Sequence, residues 1–462
     1  MARDERAVIY MALLAGSPIA VFRGPFNERH ATRLLWRAGF GPRPGQARKL
    51  AHAGLEAAVA SLTRPSGRAR LVGKPPRGQH GQPLDPINVW GDDHCWWLDR
   101  MVRSDHQLVE RMTLVWHSWF ATSVEASDAQ LMLRQNRMMR AFALGNFHQL
   151  LVNVTRDPAM LLWLSGTDNT KYSPNENYAR EVMELFTLGA DRGAYTQHDV
   201  REQARALTGF TNDWNNSGPS NFRFDPSLHD VGFKKIFGHR GRFDWRDTCR
   251  LCVEHPLHAS FFVEKLWSYF VGAPIPAGVR RALQRAYTHS GFETRALIEA
   301  ILRHPLFYEG PRMVTPPVVY CAGMLRALGR TIETDDWTWI CEQAGQRLFL
   351  PPNVAGWDYR HWLDTSRWAA RFTAVNYALQ DAVIDTSSKS YPAHETPAEA
   401  VRRALRHWND PPLSPRTSAS LLAFSRRVQR RITADWEQVP YRILRQNALR
   451  ALIPTTSDWQ TC

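Results

Sequence analysis

Ser173-Pro-Asn-Glu-Asn-Tyr-Ala-Arg-Glu-Val-Met-Glu-Leu-Phe-Thr-Leu-Gly189 reads as one helix with both of its ends written into it. Ser173 is an N-cap residue type, Pro174 suits the first helical position because its missing N–H would find no partner there, and Glu176 completes a capping box. Gly189 is the stop, so the spacing predicts a helix over 174–188. Working outward, helical periodicity recurs almost without a break over 94–103, 107–121, 128–143, 146–156, 158–164, 196–209, 247–254, 257–272, 277–289, 293–303 and 316–328. Two earlier helices are expected in His30–Gly39 and Arg43–Leu62. Strand-like alternation is confined to 220–224 and short pieces near 233–244, enough for one hairpin. The helices keep no fixed period, which argues against a solenoid. The expected fold class is all-α, a multi-helix bundle with at most one small β-hairpin.

Four segments are expected along the chain: an N-terminal stretch 1–26, a helical domain 27–383, a linker 384–398 and a basic helical extension 399–462. Within the domain, 64–93 is rich in Pro, Gly and charge without periodicity and reads as a surface loop. Ala7 to Phe22 is apolar enough for the core of a signal peptide. Its leader Met1–Arg6 carries no net positive charge and no small-x-small cleavage site follows, so a cytoplasmic location is expected. No other apolar run approaches the roughly 18 to 20 residues that span a bilayer.

The 462 residues are 44% hydrophobic and 22% charged, which excludes a disordered, collagen-like or membrane-bundle chain. Eighteen Trp, in apolar runs such as Trp116-His-Ser-Trp119, are expected mostly in the core. The formal net charge is +14, yet only seven of the cations are Lys. That reads as a coding bias and weighs against a nucleic-acid partner. Residues 401–450 hold eleven Arg against Asp410, Asp435 and Glu437, and Phe424-Ser-Arg-Arg-Val-Gln-Arg-Arg-Ile432 suits an acidic partner or an anionic surface. The plainer alternative is a solvated face paired with acids elsewhere. Six cysteines are too few for a disulfide framework and fit buried thiols in a reducing compartment.

Chemistry concentrates around the decisive helix. Asp168, Asn169, Lys171, Asn175, Glu176 and Asn177 crowd its start, and helical geometry brings Asn177, Arg180, Glu181 and Glu184 to one side. Two carboxylates, a guanidinium and amides suit acid/base work or an anion at a helix N-terminus. A buried polar network that locks helices together is the alternative. Asn221 to Asp230 adds His229 and Asp230 on a loop able to fold over the helix start. Pro352-Asn353-Val-Ala-Gly-Trp357 reads as a turn closed by the Asn353 side chain, with Trp357 as an anchor or cleft wall. The His255-Pro and His304-Pro steps read as helix-end caps. Cys249-Arg-Leu-Cys252-Val-Glu-His255-Pro-Leu-His258 has metal-like composition, but one helix cannot aim all four at a single tetrahedron. No metal site is assigned. No phosphate loop, dinucleotide fingerprint, Gly-x-Ser-x-Gly or His-Glu-x-x-His occurs, and the cofactor is left unknown.

Five co-linear motifs within residues 27–375 carry a resemblance. They are Arg33-Leu-Leu-Trp-Arg-Ala-Gly-Phe-Gly-Pro42, Arg111-Met-Thr-Leu-Val-Trp-His117 with Phe120-Ala-Thr122, Asn175–Gly189, Tyr195-Thr196 through Leu207-Thr-Gly209, and Pro352–Trp357. Together they resemble the bacterial DUF1800 family, a domain of unknown function. The resemblance implies an α-rich fold, names no catalytic residue, and makes an extracytoplasmic location the alternative. The Cys249/Cys252 pair lies outside the family pattern, which lowers a metal or redox role.

Two functional readings follow. The first is a hydrolase or transferase with Glu181 or Glu184 as general acid/base. In it His229 and Asp230 belong to the catalytic set and position the substrate, Lys171 and Arg180 hold an anionic or sugar-like substrate, and Asp168, Asn169, Asn175, Glu176, Asn177, Asn353 and Trp357 complete the substrate-binding cleft. The second is a non-catalytic binding or assembly protein whose Arg-rich 401–450 segment docks an acidic partner.

Overall fold

The computed structural model describes residues 19–462 except 217, 389, 390 and 393. Most of the apolar Ala7–Phe22 stretch therefore lies outside the described residues. From Glu28 onward the chain is a succession of helices packed as a bundle, with two antiparallel hairpins where the sequence suggested one. The first pairs Phe210–Asn215 with Gly218–Phe224, and the second pairs Lys234–Ile236 with His239–Gly241. Most expected helices form within one to three residues of their anticipated bounds, as in Asp92–Arg103, Phe147–Thr155 and Ala277–His289.

Two helices form the centre. Gln107–Trp119 and Pro317–Leu328 are buried along nearly their whole lengths. Around the first gather Trp116, Trp119, Phe147, Phe262 and Tyr287, a stacked aromatic core in which Phe262 and Tyr287 lie 4.4 Å apart at 11°. Around the second gather Trp97, Tyr320, Phe349, Trp408 and Trp459.

The Arg excess proves partly internal. Arg37, Arg326, Arg371 and Arg445 are among the largest fully buried side chains. Arg37 donates to the carbonyls of Phe270, Phe307, Pro311 and Cys462 at 2.6–3.2 Å, joining the Glu28–Arg37 helix to three remote segments. Arg326 bonds Gly41 O and Val102 O, and Arg371 bonds Thr315 O and the Gln460 side chain. A planar guanidinium carries five donors in a fixed fork and can satisfy several orphan carbonyls at once.

The C-terminal chain packs back on this body. Pro397–His407, Pro415–Gln429 and Gln438–Thr455 contribute Ala400, Ala404, Leu421, Leu449 and Ile453 to the second core, joined there by Trp408. Two residues between these elements and the body are tied down as well: Asn447 exchanges two hydrogen bonds with the Ile384 backbone, and buried Glu395 pairs with Arg403 and Arg445.

Candidate functional site

The helix that decided the fold starts later than its capping signals indicate. It begins at Asn177, and the expected capping box between Ser173 and Glu176 is not formed. The reason is competition for the same backbone N–H groups. The Asn169 side chain accepts from Asn175 N at 2.9 Å, the Asn175 side chain accepts from Asn177 N at 2.9 Å, and Ser173 N turns back to Thr170. The Asn169 bond, the turn at Thr170 and the Asx turn at Asn175 thus hold 169–177 before the helix can begin. Glu176, freed from capping, bonds Arg180 at 2.9 Å and Gln197 at 2.7 Å.

After Glu181 the helix widens into a π-helical segment, Val182–Thr187, with Leu188 N bonded to Met183 O. Such segments are uncommon and recur at functional sites. Its last carbonyls are taken up by side chains from two other helices. Lys265 Nζ donates to Leu185 O at 2.8 Å, the Trp119 indole donates to Phe186 O at 3.0 Å, and the His258 ring contacts Thr187 O at 2.9 Å. The Lys265 amine lies 4.2 Å from the Trp119 ring centre and 5.4 Å from that of Phe261, and this burial pulls its pKa down to about 7. Neither Lys265 nor His258 carried a sequence signal for this role. Both are distant in the chain and meet the helix only through packing.

On the outer side of this braced helix sit the two carboxylates. Glu181 is half-buried and, among the described residues, has no hydrogen-bond donor; burial first, and Glu184 second, raise its pKa. Glu184 accepts from the Tyr195 hydroxyl at 3.4 Å. Burial and the adjacent Glu184 push the Tyr195 phenol up to about 12. Tyr195 belongs to a motif noted in the sequence, yet nothing there tied it to Glu184.

The other expected site residues divide into four groups. Asp168, Lys171 and Asn177 are exposed at the helix approach, with Lys171 Nζ over the exposed Tyr172 ring at 5.0 Å. Asn169, Asn175, Glu176 and Arg180 are committed to the turn and to Gln197, with Arg201 a further 3.6 Å partner of Glu176. His229 and Asp230 form a separate network. The His229 ring contacts Thr208 O at 2.9 Å, and Asp230 pairs with Arg205 at 2.8 Å, which draws its pKa down against the effect of burial. Their loop touches the approach through Lys171 N to Leu228 O at 2.8 Å. Among the described residues no hydrogen bond joins His229 or Asp230 to Glu181 or Glu184. Gly209 makes this junction close: its φ is +113°, and a Cβ there would stand 2.8 Å from the Phe224 ring and 3.1 Å from His229.

Asn353 closes its own turn through Ala355 N at 2.9 Å and is exposed. Trp357 packs 5.4 Å from the His117 ring, which burial drives down to about 3. The turn thus rests on the Gln107–Trp119 helix, where Gly356 also meets Ser118, and not on the carboxylates. Cys249 and Cys252 are buried, bonded to Thr155 at 3.2 Å and Gln203 at 3.5 Å, with thiols pushed up to about 12. No group of three or more His, Cys, Asp or Glu among the described residues is arranged to hold a metal ion. His255 and His304 act as the caps expected of them, accepting from Leu257 N and Leu306 N. No helix among the described residues is long and apolar enough to cross a membrane.

The family model described as "Protein of unknown function (DUF1800)" matches residues 33–461. No curated protein and no solved structure matches the chain.

Proposed function

The chain belongs to the DUF1800 family of proteins of unknown function, and we propose that its activity resides in the Glu181–Glu184 pair, as a hydrolase or transferase acting on an anionic or polyhydroxylated substrate. The observation that carries this reading is Glu181 itself. A half-buried carboxyl without a donor, beside a second carboxylate, holds its proton to a higher pH than a free one, as a general acid must. Glu184, braced by Tyr195, is the partner base. Lys171 and the Tyr172 ring offer an ammonium to a phosphate or carboxylate and a flat face to a sugar, and exposed Asn177 adds an amide. The Lys265, Trp119 and His258 contacts supply the rigidity that positioned acid/base groups need.

The test is a panel of chromogenic phosphate, sulfate, glycoside and acyl esters with the wild-type protein, Glu181→Gln and Glu184→Gln. Each variant is expected to lose on the order of a hundredfold in kcat/KM while remaining cooperatively folded. Wild-type-like turnover in both variants, or no turnover of any panel member by the wild type, would end the assignment.

One observation favours the second reading, a binding or assembly protein. Arg402, Arg406, Arg426, Arg427, Arg430 and Arg431 are exposed and make no ion pair among the described residues. Deleting 401–462 would remove part of the core, so the fitting variant is Arg426, Arg427, Arg430 and Arg431 all to Gln. This reading expects salt-sensitive retention on an acidic protein matrix that the fourfold variant loses. Equal retention of both proteins would refute it.

A further inference from the structure

Residues Val231–Phe243 play no part in the carboxylate site, and their composition is one-sided: two Lys, two Arg and a His, with no Asp or Glu. The stretch forms the Lys234–Ile236 and His239–Gly241 hairpin and the loop that enters it. Along the chain Val231, Phe233 and Lys235 are exposed while Lys234 and Ile236 are buried, the period-two alternation of an extended strand. The outward row thus shows two large apolar side chains, Val231 at 69% and Phe233 at 54% exposure, whereas the inward row holds a lysine.

The loop is firmly held in this inverted arrangement. Lys234 Nζ donates to the carbonyls of Asp230 and Gly232, and Arg205 donates to the Asp230 carboxylate at 2.8 Å and to Phe233 O at 3.2 Å. A Cβ on Gly232 would meet Asp230 at 2.9 Å and Arg205 at 3.1 Å, so the chain closes tightly around these cations. On the neighbouring strand Arg240 stands directly opposite Lys235. Like charges in that position repel. Arg240 and Arg242 lie over the Phe233 ring at 4.9 and 5.2 Å, and the side chains of Lys235, Arg240 and Arg242 make no ion pair among the described residues. The acids of adjoining segments are engaged elsewhere, Glu202 and Asp230 with Arg205 and Asp244 with Arg246.

We propose that this face docks on an anionic lipid surface, with Val231 and Phe233 entering the headgroup region while Lys235, Arg240 and Arg242 pair with lipid phosphates. Apolar side chains held outward beside unpaired cations are what an interfacial anchor requires, the first for burial and the second for attraction to the surface charge. These five residues offer no hydroxyl or amide to fix the register of a protein partner. Two guanidiniums already lie on the Phe233 ring against which a nucleobase would have to stack. The face shares no residue with the Glu181–Glu184 pair or with the Arg426–Arg431 segment.

The experiment is co-sedimentation of the full chain with vesicles of phosphatidylcholine alone or with about 40 mol% phosphatidylglycerol, at about 0.1 M and about 0.5 M salt. Pelleting is expected only with the anionic vesicles and only at the lower salt. Arg240→Gln combined with Arg242→Gln should weaken vesicle affinity about tenfold or more, and Phe233→Ser about threefold or more. All three side chains are exposed, and Arg242→Gln alone decides if the double variant fails to fold. No pelleting with anionic vesicles, equal pelleting with neutral ones, unchanged affinity in the hairpin variants, or a loss confined to the variant with Arg426, Arg427, Arg430 and Arg431 all changed to Gln would each overturn the proposal.

Discussion

Lys265→Met tests how the carboxylate-bearing helix is held. The methionine keeps the packing against Trp119 and Phe261 and removes the charge and the bond to Leu185 O. Losing that bond costs about 1 kcal/mol at every pH. The pH-dependent part is larger. The folded-state ammonium titrates near 7 against 10.5 for a free lysine, because burial disfavours its charge. Between these values the unfolded chain binds more protons than the folded one, so wild-type stability rises with pH through that window and is flat below it. From about pH 6 to about pH 9 this gain amounts to about 2.7 kcal/mol, at about 1.36 kcal/mol per unit. A methionine at this position does not titrate, and the variant has no such gain. Thermal unfolding of both proteins across that range should therefore show the variant losing ground to wild type as pH rises. The gap should widen by roughly 3 °C, since a chain of this length shifts by roughly one degree per kcal/mol. Parallel midpoint curves would mean that Lys265 stays hydrated and charged, and the enclosed-amine account would fall.

Other consequences are equally direct. The raised pKa of Glu181 means that the folded chain keeps this proton longer than the unfolded chain, so its contribution declines as pH climbs out of the carboxylate range. Glu181→Gln should accordingly gain on wild type between about pH 4 and about pH 7 in the same melts, and a constant difference would contradict the shift. Arg37→Met strands carbonyls of Phe270, Phe307, Pro311 and Cys462, and urea unfolding should register a loss of about 3 to 5 kcal/mol. A loss under about 1 kcal/mol would show that water replaces the guanidinium. Five of the six cysteines are buried and Cys462 is partly exposed. A thiol reagent should therefore reach at most one cysteine in the native protein and all six in urea; rapid native reaction at Cys249 or Cys252 would point to a redox role instead.

Much of the architecture was written locally. Helix positions follow from apolar spacing and from caps such as Asn27, Asp157, Thr196 and Asp244, each of which serves the helix that its neighbours announce. The same local grammar misread the start of the decisive helix. Ser173, Pro174 and Glu176 satisfy every rule of an N-terminus, but Asn169 takes Asn175 N and Thr170 takes Ser173 N first. Which of two adequate caps prevails depends on where Gly209 and Ala204 hold Asn169, and that is settled by folding.

The site divides along the same line. Periodicity placed Glu181 and Glu184 together, because neighbours on one helix turn need no tertiary information. The sequence could not separate Glu181, left without a donor, from Glu176, which is fully engaged, nor detach His229 and Asp230 from the pair. Composition was ambiguous in the same way: a run of Arg reads alike whether it faces water, as Arg426 and Arg427 do, or binds buried Glu395, as Arg445 does. Helices and their amphipathic faces arise from contacts a few residues apart, and the sequence by itself determined those. Tertiary structure alone decided the π-helical turn capped by Lys265, Trp119 and His258, and the meeting of Trp36 with Trp459. Those contacts join residues at least 67 positions apart, and no local preference records which distant donor or ring will arrive.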